Sequence, residues 1–311
     1  MHYTGTIWRP PYEAESLLLE VTAGCTHHRC KFCTLYEELP FRFRMSPLED
    51  VEADLQEAQM RAGDPMARLA ARLQGFPEPE QPRRVFLTGG NPFVLQTDRL
   101  RDIAQLIQAY FPSCKSIGCF ARVTDISRKT DAELLELRQL GFENLSIGVE
   151  TGDDQALAFM DKGYTAGEAL RQVRRLDEAG ISYSFTYLAG LSGAGRGREG
   201  ALASAGFFNR TRPLLIGSSM LTVCPESRLY QEIQAGRWQE AGEVEKLEEL
   251  KVLIEHLEIP VRFATLGVSN AVWVQGTLPE DRERMTARLE EACRGEHEEA
   301  LRQYRTGLRH L

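Results

Sequence analysis

The feature of this sequence that most restricts its fold is a unit that repeats along the chain. Each unit consists of an apolar strand, a loop, a capped helix and a closing glycine, and about six units follow one another before residue 226. In one of them a capping box at Thr130 and Glu133 starts a helix, Gly141 ends it, and an apolar strand runs from Asn144 to Val149. Such alternation predicts a parallel sheet whose strands are joined by right-handed helical crossovers.

Six units are fewer than the eight that close a TIM barrel. We therefore predict an α/β fold in which residues 1–226 form an open (β/α)6 partial TIM barrel. Residues 227–311 are predicted to form a C-terminal α-helical extension that packs on this core, with an acidic helix from Glu243 to Leu257. The stretch from Gly63 to Pro82 is partly helical and then Pro-rich, which is typical of an insertion or a loop.

Charge and hydropathy restrict the partners of the chain. Lys and Arg total 37 against 45 Asp and Glu, which gives a net charge of −8. Proteins that bind the phosphate backbone of nucleic acids usually carry more basic than acidic residues. A small-molecule substrate is therefore favoured over nucleic acid. No apolar run is long enough to cross a bilayer, and Met1 to Pro10 lacks the basic-then-apolar pattern of a signal peptide. We therefore expect a cytoplasmic protein with no membrane partner.

Three of the seven cysteines, Cys25, Cys30 and Cys33, lie in one short loop after the first predicted strand. An odd number of cysteines with a single cluster does not fit the disulfide framework of a small secreted protein. Three thiolates in such a loop can bind three corners of a cubane iron–sulfur cluster, which leaves the fourth iron open to a cofactor or substrate. A structural zinc site that adds His27 or His28 is the alternative.

Two further motifs follow the second and fourth predicted strands. Gly89-Gly90-Asn91-Pro92 comes after the strand from Arg84 to Thr88, and Glu150 ends the fourth strand. The carboxyl ends of parallel strands meet at one rim, where such folds place their chemistry. Glycines allow close backbone approach, and a carboxylate can accept hydrogen bonds from two hydroxyl groups. Taken singly, the first motif is also typical of an ordinary turn and the second of a solvated glutamate.

In this order, from about Ser16 to Glu226, the three motifs resemble those of the radical S-adenosylmethionine (radical SAM) superfamily, including its oxygen-independent coproporphyrinogen oxidase-like members. Phe32 matches the aromatic residue that the family places before its last cysteine. The first gap of the cysteine motif holds four residues instead of the family's three, and Asn91 replaces the glutamate of the family's Gly-Gly-Glu-Pro motif. The segment around Glu150 resembles the family motif whose acidic residue binds ribose.

The resemblance implies a reaction and its cofactors. It implies that Cys25, Cys30 and Cys33 hold a [4Fe–4S] cluster, which donates one electron to S-adenosylmethionine and so yields methionine and a 5′-deoxyadenosyl radical that acts on an unidentified substrate. An external donor such as flavodoxin or ferredoxin is expected to supply the electron. The residues implied to bind S-adenosylmethionine are Gly89, Gly90, Asn91, Pro92, Arg122, Glu150 and Ser184. The alternatives are a non-standard cleavage, by aminocarboxypropyl or methyl transfer, and a non-catalytic metal-binding module.

Five single residues on or near the same rim complete the sequence-based expectations. Arg122 ends the third strand, where its guanidinium group can bind the methionine carboxylate through two hydrogen bonds. On the fifth strand alternate side chains face the lumen, and Ser184 and Tyr187 are both candidates. Lys162 is predicted to be a solvated lysine at a helix end. Cys224, which ends the sixth strand, is predicted to be a small buried residue outside the cluster.

Overall fold

The structure of this protein is a computed structural model that describes residues 1–75, 81–294 and 298–308. The strands within them are β1 Leu17–Glu20, β2 Thr22–Gly24, β3 Phe43–Met45, β4 Arg84–Thr88, β5 Ser116–Ala121, β6 Leu145–Glu150, β7 Tyr183–Ala189, β8 Leu215–Met220, β9 Val261–Thr265 and β10 Gln275–Leu278. Most β-strands are followed by a helix, as the repeated unit of the sequence predicts.

The helices are α1 Leu48–Gly63, α2 Pro65–Gln74, α3 Thr97–Tyr110, α4 Val123–Ile126, α5 Asp131–Gln139, α6 Asp154–Phe159, α7 Ala166–Ala179, α8 Gly197–Phe208, α9 Arg228–Gln234, α10 Glu243–His256, α11 Arg282–Arg294 and α12 Glu298–Thr306. Helix α2 begins the insertion predicted from Gly63 to Pro82, whereas its Pro-rich part at 76–80 lies outside the described residues. Over the part of the chain that is described, no helix has the length and apolar character needed to span a bilayer.

Eight strands form one mostly parallel sheet in the order β1-β4-β5-β6-β7-β8-β9-β10, and β2 pairs with β3 in an antiparallel ribbon. This confirms the α/β class and is consistent with an open partial TIM barrel. Besides helices, the C-terminal extension contributes two strands to the sheet, of which the sequence predicts the first as a short strand from Val261 to Ala264. Strand β9 is parallel to β8, whereas β10 is antiparallel to β9. The connection from β9 to β10 is too short for a parallel crossover, which takes a dozen or more residues.

The chain divides into two compact units. Unit 1 comprises Met1–Thr26, Tyr36–Ser146 and Ala179–Ile181, and unit 2 comprises His27–Leu35, Ile147–Glu178 and Ser182–Leu311. The cysteine loop therefore contributes to both, because Cys25 belongs to unit 1 while Cys30 and Cys33 belong to unit 2. A boundary near residue 226 between a core and an extension stays a prediction.

The core of unit 1 forms between parallel strands and one amphipathic helix. Strands β1, β4 and β5 pair in parallel, with Leu19 opposite Leu87. Helix α3 places Leu100, Ile103 and Ile107 on one face, and all five of these side chains are fully buried. Each contributes about 1.5–3 kcal/mol to folding by leaving water. The core thereby fixes the carboxyl ends of β4 and β5, which the Gly-Gly turn and Arg122 follow.

Alternation along β7 sorts its side chains between two faces in unit 2. Phe185 and Tyr187 pack against Phe208 of α8, with ring centroids 5.5 and 6.2 Å apart. Successive side chains of a strand point to opposite faces, so Ser184 and Thr186 lie on the other face. Ser184 and Tyr187 therefore cannot both face a lumen. The prediction that includes Tyr187 is wrong, because its ring belongs to the face that packs on the helices.

Candidate cofactor site

The cysteine loop begins with a turn that only glycine can make. Gly24 ends β2 with φ +78°, and a Cβ at this position would lie 2.2 Å from the carbonyl oxygen of Arg42. The next amide, that of Cys25, donates to the same Arg42 carbonyl at 3.0 Å. The β2–β3 ribbon therefore sets the direction in which the chain enters the loop, and a larger residue at Gly24 would displace Cys25.

The Gly-Gly turn after β4 packs directly on the start of this loop within unit 1. The amide of Gly90 donates to the carbonyl of Gly24 at 3.0 Å, and a Cβ on Gly90 would lie 2.8 Å from the Cβ of Cys25. Gly89 has φ +124°, and its Cβ would lie 2.0 Å from Oγ1 of Thr22. The structure thus brings together two motifs that are more than sixty residues apart in the sequence.

The side chain of Asn91 ties the cysteine loop to the end of β5. It is fully buried, and its Oδ1 accepts from the amide of Thr26 at 3.1 Å. Its Nδ2 donates to Oγ1 of Thr26 at 2.8 Å and to both carboxylate oxygens of Asp125, at 3.0 and 3.1 Å. The amide can donate to that carboxylate, whereas an ionised glutamate could not. This gives a local physical reason for asparagine at a position where the family has glutamate.

Asp125 is a site residue that the sequence analysis missed. It is buried, and it also accepts from the backbone amide of Arg122 at 2.8 Å as part of a capping box. Burial raises the pKa of Asp125 to about 6, although the hydrogen bonds from Arg122 and Asn91 act in the opposite direction. The only sequence signal for it is the spacing of three residues from Arg122, at the start of a helix.

We expect Asn91→Asp to destabilise the protein in a pH-dependent way. The change puts two carboxyl groups in hydrogen-bond contact, so one of them must stay protonated and its pKa rises. A group whose folded-state pKa is raised contributes stability at low pH that is lost as the pH rises. In urea unfolding, the free energy of unfolding should therefore fall by about 2–3 kcal/mol at pH 8, and by less at pH 5.5.

Asn209→Asp is the matched control for this prediction. The amide of Asn209 donates to a backbone carbonyl, that of His256, at 2.8 Å, and not to a carboxylate. Asn209→Asp should therefore lower the free energy of unfolding by the same amount at both pH values. A loss for Asn91→Asp that does not change between pH 5.5 and pH 8 would show that the contact with Asp125 is not what matters at Asn91.

Arg122 stands at the carboxyl end of β5, where the sequence analysis expects it. It is half-buried, and its Nη1 donates to Oγ1 of Thr124 at 2.9 Å. Binding of the methionine carboxylate by Arg122 stays a prediction.

The second part of the cysteine loop is held within unit 2. The amide of Cys33 donates to the carbonyl of Cys30 at 3.1 Å, which closes a tight turn around Phe32. The amide of Lys31 donates to the carbonyl of Met160 at 3.1 Å, and its carbonyl accepts from the amide of Leu229 at 2.7 Å. Residues that follow β6 and β8 therefore fix the loop from both sides.

The donor set of the loop, three cysteine side chains, is of the type that binds iron–sulfur clusters. Cys25, Cys30 and Cys33 form no disulfide, and each is partly exposed. One ring nitrogen of His27 lies 2.5 Å from the carbonyl oxygen of Asp161 in a buried position. Among the residues that the structure describes, no three His, Cys, Asp or Glu side chains converge closely enough to hold one metal ion. Cysteine thiolates are the usual protein ligands of such clusters.

Glu150, at the end of β6, is held by two partners in unit 2. Its Oε1 accepts from Nζ of Lys162 at 3.1 Å, and its Oε2 accepts from Oγ1 of Thr186 at 3.1 Å. Its φ is +69°, a conformation that costs about 1–3 kcal/mol for a residue other than glycine and is frequent at functional sites. The contacts fix the orientation of the carboxylate, and Thr186 is a further site residue that the sequence analysis missed.

Lys162 is buried, which corrects the prediction of a solvated lysine. Only 4% of the residue is exposed, and its Nζ donates to the carbonyl of Gly148 at 2.9 Å as well as to Glu150. Its ammonium lies 5.7 Å from the ring centroid of Phe32, inside the cysteine loop. The turn after α6 folds back under β6, so a lysine that follows an exposed-looking helix end enters the interior. Lys162 thereby connects the loop and the carboxylate.

Helix α10 of the C-terminal part holds the loop after β7. The buried carboxyl group of Glu249 accepts from the hydroxyl of Tyr187 at 2.5 Å and from the amide of Gly190 at 2.9 Å. Gly190 has φ +91°, and the side chain of Lys246 occupies the space that its Cβ would need. Burial raises the pKa of Glu249 to about 7, against the effect of both hydrogen bonds.

Glu249→Gln should flatten the dependence of stability on pH. The folded-state pKa of Glu249 lies above the ordinary value of 4.5, so its stabilising effect is complete below pH 4.5 and is lost as the pH rises through about 7. Glutamine mimics the neutral acid. Between pH 5 and pH 8, the free energy of unfolding of the wild type should fall by about 2 kcal/mol more than that of the variant, as measured by urea unfolding. Glu245→Gln, on the same helix, is the control, and an equal slope in all three proteins would contradict the prediction.

Comparisons with known proteins place this geometry in a family. The family model of the radical SAM superfamily matches residues 19–194, which is more than half of the chain. The solved structures that it resembles include coproporphyrinogen III oxidase (HemN) from Escherichia coli, a radical SAM enzyme, with a TM-score of 0.53, 16% identity and coverage of 78% of this chain and 52% of that one. No curated protein matches the chain.

Two further structures share the fold. One is the radical SAM methyltransferase TsrM from Kitasatospora setae with cobalamin and a [4Fe–4S] cluster bound, with a TM-score of 0.52, 19% identity and coverage of 71% and 39%. The other is archaeal Elp3 from Methanocaldococcus infernus, with a TM-score of 0.53, 13% identity and coverage of 79% and 60%. The chain spans between 39% and 60% of these three proteins. The motifs, the fold and the family model agree that this chain belongs to the radical SAM superfamily and is an enzyme whose cofactors are a [4Fe–4S] cluster and S-adenosylmethionine.

Proposed function

We propose that this enzyme cleaves S-adenosylmethionine reductively and that Cys25, Cys30 and Cys33 hold the cluster. When bound, the cluster supplies one electron to the sulfonium, and the products are methionine and a 5′-deoxyadenosyl radical that takes hydrogen from a substrate still to be identified. The observation that carries the proposal is the contact of Gly90 with Gly24 at the entry to the cysteine loop. It fixes the predicted methionine-binding turn against the predicted cluster-binding loop.

The residues around the turn have separate roles in this proposal. The Gly89-Gly90-Asn91-Pro92 backbone receives the amino group of methionine, and the glycines permit the close approach that this requires. The side chain of Asn91 holds the turn in place through Thr26 and Asp125. Arg122, which directly follows Ala121 at the carboxyl end of β5, binds the carboxylate of methionine with its guanidinium group.

In unit 2, Glu150 binds the ribose of the cofactor. Each oxygen of a carboxylate has two acceptor directions, so the contacts with Lys162 and Thr186 leave one direction on each for a ribose hydroxyl. Ser184 lies on the same face of β7 as Thr186 and is proposed to line the cofactor site beside it. The reductant is an electron-transfer protein such as flavodoxin or ferredoxin, and the enzyme works in the cytoplasm on a small molecule.

Electron paramagnetic resonance tests the proposed site. The anaerobically purified protein, reduced with dithionite, should show the spectrum of a reduced [4Fe–4S] cluster, and S-adenosylmethionine should change that spectrum because it binds the open iron. A spectrum that saturating S-adenosylmethionine leaves unchanged would contradict cofactor binding at the cluster. Chromatography of the nucleoside products then separates 5′-deoxyadenosine from the products of aminocarboxypropyl or methyl transfer.

A further inference from the structure

We propose that unit 2 contains a second ligand site, for an uncharged nucleoside. The site is a cavity of about 340 Å³ between α6, the loop after β7 and the segment that follows α9. None of the residues predicted to bind the cofactor lines it. The binding of a nucleoside here does not depend on the proposed function.

The size and the walls of the cavity suit a planar ring. A volume of this order lies at the lower end for small-molecule sites, which is enough for a base with its sugar. Its apolar side chains are those of Phe159, Leu191 and Trp238, which pack on one apolar cluster of unit 2. Gly193 lies under the indole of Trp238, where a Cβ would be 2.8 Å from Nε1. Aromatic faces such as this one bind nucleobases by stacking.

The polar groups of the cavity match the edge of a base. Gln155 and Gln239 contribute side-chain amides, and Trp238 contributes an indole N–H. Among the described residues, none of these three polar groups makes a hydrogen bond with the protein, although the backbone of Gln239 accepts from Ala194 at 2.9 Å. An amide offers both a donor and an acceptor in one plane, which is how glutamine reads the edge of adenine in nucleic-acid complexes.

The charges of the cavity favour a nucleoside over a nucleotide. Arg196 is the one cationic side chain among the lining residues. Its Nη2 lies 3.1 Å from Oδ2 of Asp153, and its Nε lies 3.3 Å from Oε2 of Glu199. Asp153 is buried and also accepts from the hydroxyl of Ser192 at 2.9 Å. One cation therefore faces two carboxylates, in a chain whose net charge is −8, and a phosphate group would be repelled.

Calorimetric titration of the four ribonucleosides into the anaerobic holoenzyme tests the proposal. The titrations are run with saturating S-adenosylmethionine, so that the cofactor site is filled and cannot take up the nucleoside, and they are repeated without it. At least one ribonucleoside should bind, and Trp238→Leu should weaken that binding about 10-fold because it removes the stacking surface. Gln155→Ala should weaken it about 5-fold, and since Gln155 is exposed this variant keeps the fold if Trp238→Leu does not.

Gln231→Ala, an exposed position on α9 outside the cavity, is the control and should bind the nucleoside like the wild type. The site is ruled out if no ribonucleoside binds, if S-adenosylmethionine abolishes the binding seen without it, or if both cavity variants keep full affinity. Absence of S-adenosylmethionine cleavage in a protein that still binds the nucleoside would instead contradict the proposed function and leave this site standing.

Discussion

Replacement of Cys25, Cys30 or Cys33 by alanine is expected to reduce the iron content from about four atoms per chain to nearly none. In the proposed site each of the three thiolates would hold the cluster, so the loss of one would leave the cluster without one of its protein ligands. The loop around these cysteines is held by backbone contacts, such as that of Lys31 with Met160, which the substitutions do not touch. The loss should therefore be one of cluster binding and not of folding, and S-adenosylmethionine cleavage should fall to background.

Cys224→Ser is the matched control for the cysteine series. Cys224 is a free, half-buried thiol, somewhat more exposed than the sequence analysis predicts. Its carbonyl accepts from the amide of Ser227 at 2.9 Å, and the substitution leaves that contact in place. The variant should keep its iron and its cleavage activity. Iron loss in Cys224→Ser, or one zinc and no sulfide in the wild-type protein, would contradict the assignment of the three ligands.

Substitution of Glu150 is expected to have the second largest effect, because this carboxylate has two functions. Glu150→Ala removes the proposed ribose contact and leaves Lys162, only 4% exposed, without its counter-charge. Breaking a fully buried pair costs about 3–5 kcal/mol, and since the Glu150 side chain is 15% exposed we expect a loss of about 2 kcal/mol here. The affinity for S-adenosylmethionine should fall about 10-fold or more, with the cluster spectrum intact.

A double variant separates the two functions of Glu150. In Glu150→Gln/Lys162→Met the buried ammonium is gone as well, so much of the stability should return while the affinity for S-adenosylmethionine stays low. Urea unfolding gives the stability, and titration of the reduced cluster with S-adenosylmethionine gives the affinity. If the double variant regains the wild-type affinity, Glu150 is not a cofactor ligand and acts only as the partner of Lys162.

Much of the fold follows from signals that are local in the sequence. The strands β4 and β5 have the bounds that the apolar runs predict, and α10 ends within one residue of its predicted end at Leu257. Helix caps and the periodic spacing of apolar residues involve positions that are close in the sequence, so both can be recognised from the sequence directly. The order of the parallel strands then places the Gly-Gly turn beside the cysteine loop, and this too could be predicted.

The parts of the site that the sequence does not display depend on long-range contacts. Thr186 reaches Glu150 from 36 residues away, and Asp125 reaches Asn91 from 34. Lys162 looks like a solvated lysine because the motif around it is polar, and only the return of the chain under β6 buries it. Glu249 joins Gly190 over 59 residues, between parts that the sequence analysis assigns to core and extension. Such pairs are set by packing and not by any local pattern.

The most direct test of the central claim is the identity of the nucleoside formed from S-adenosylmethionine. The reconstituted protein is incubated with S-adenosylmethionine and dithionite in the absence of oxygen, and the Cys30→Ala variant is treated in the same way. The products are separated by chromatography and identified by mass spectrometry. We predict 5′-deoxyadenosine and methionine from the wild type and neither from the variant. Formation of 5′-methylthioadenosine or S-adenosylhomocysteine in place of 5′-deoxyadenosine, or equal amounts of product from both proteins, would contradict the account.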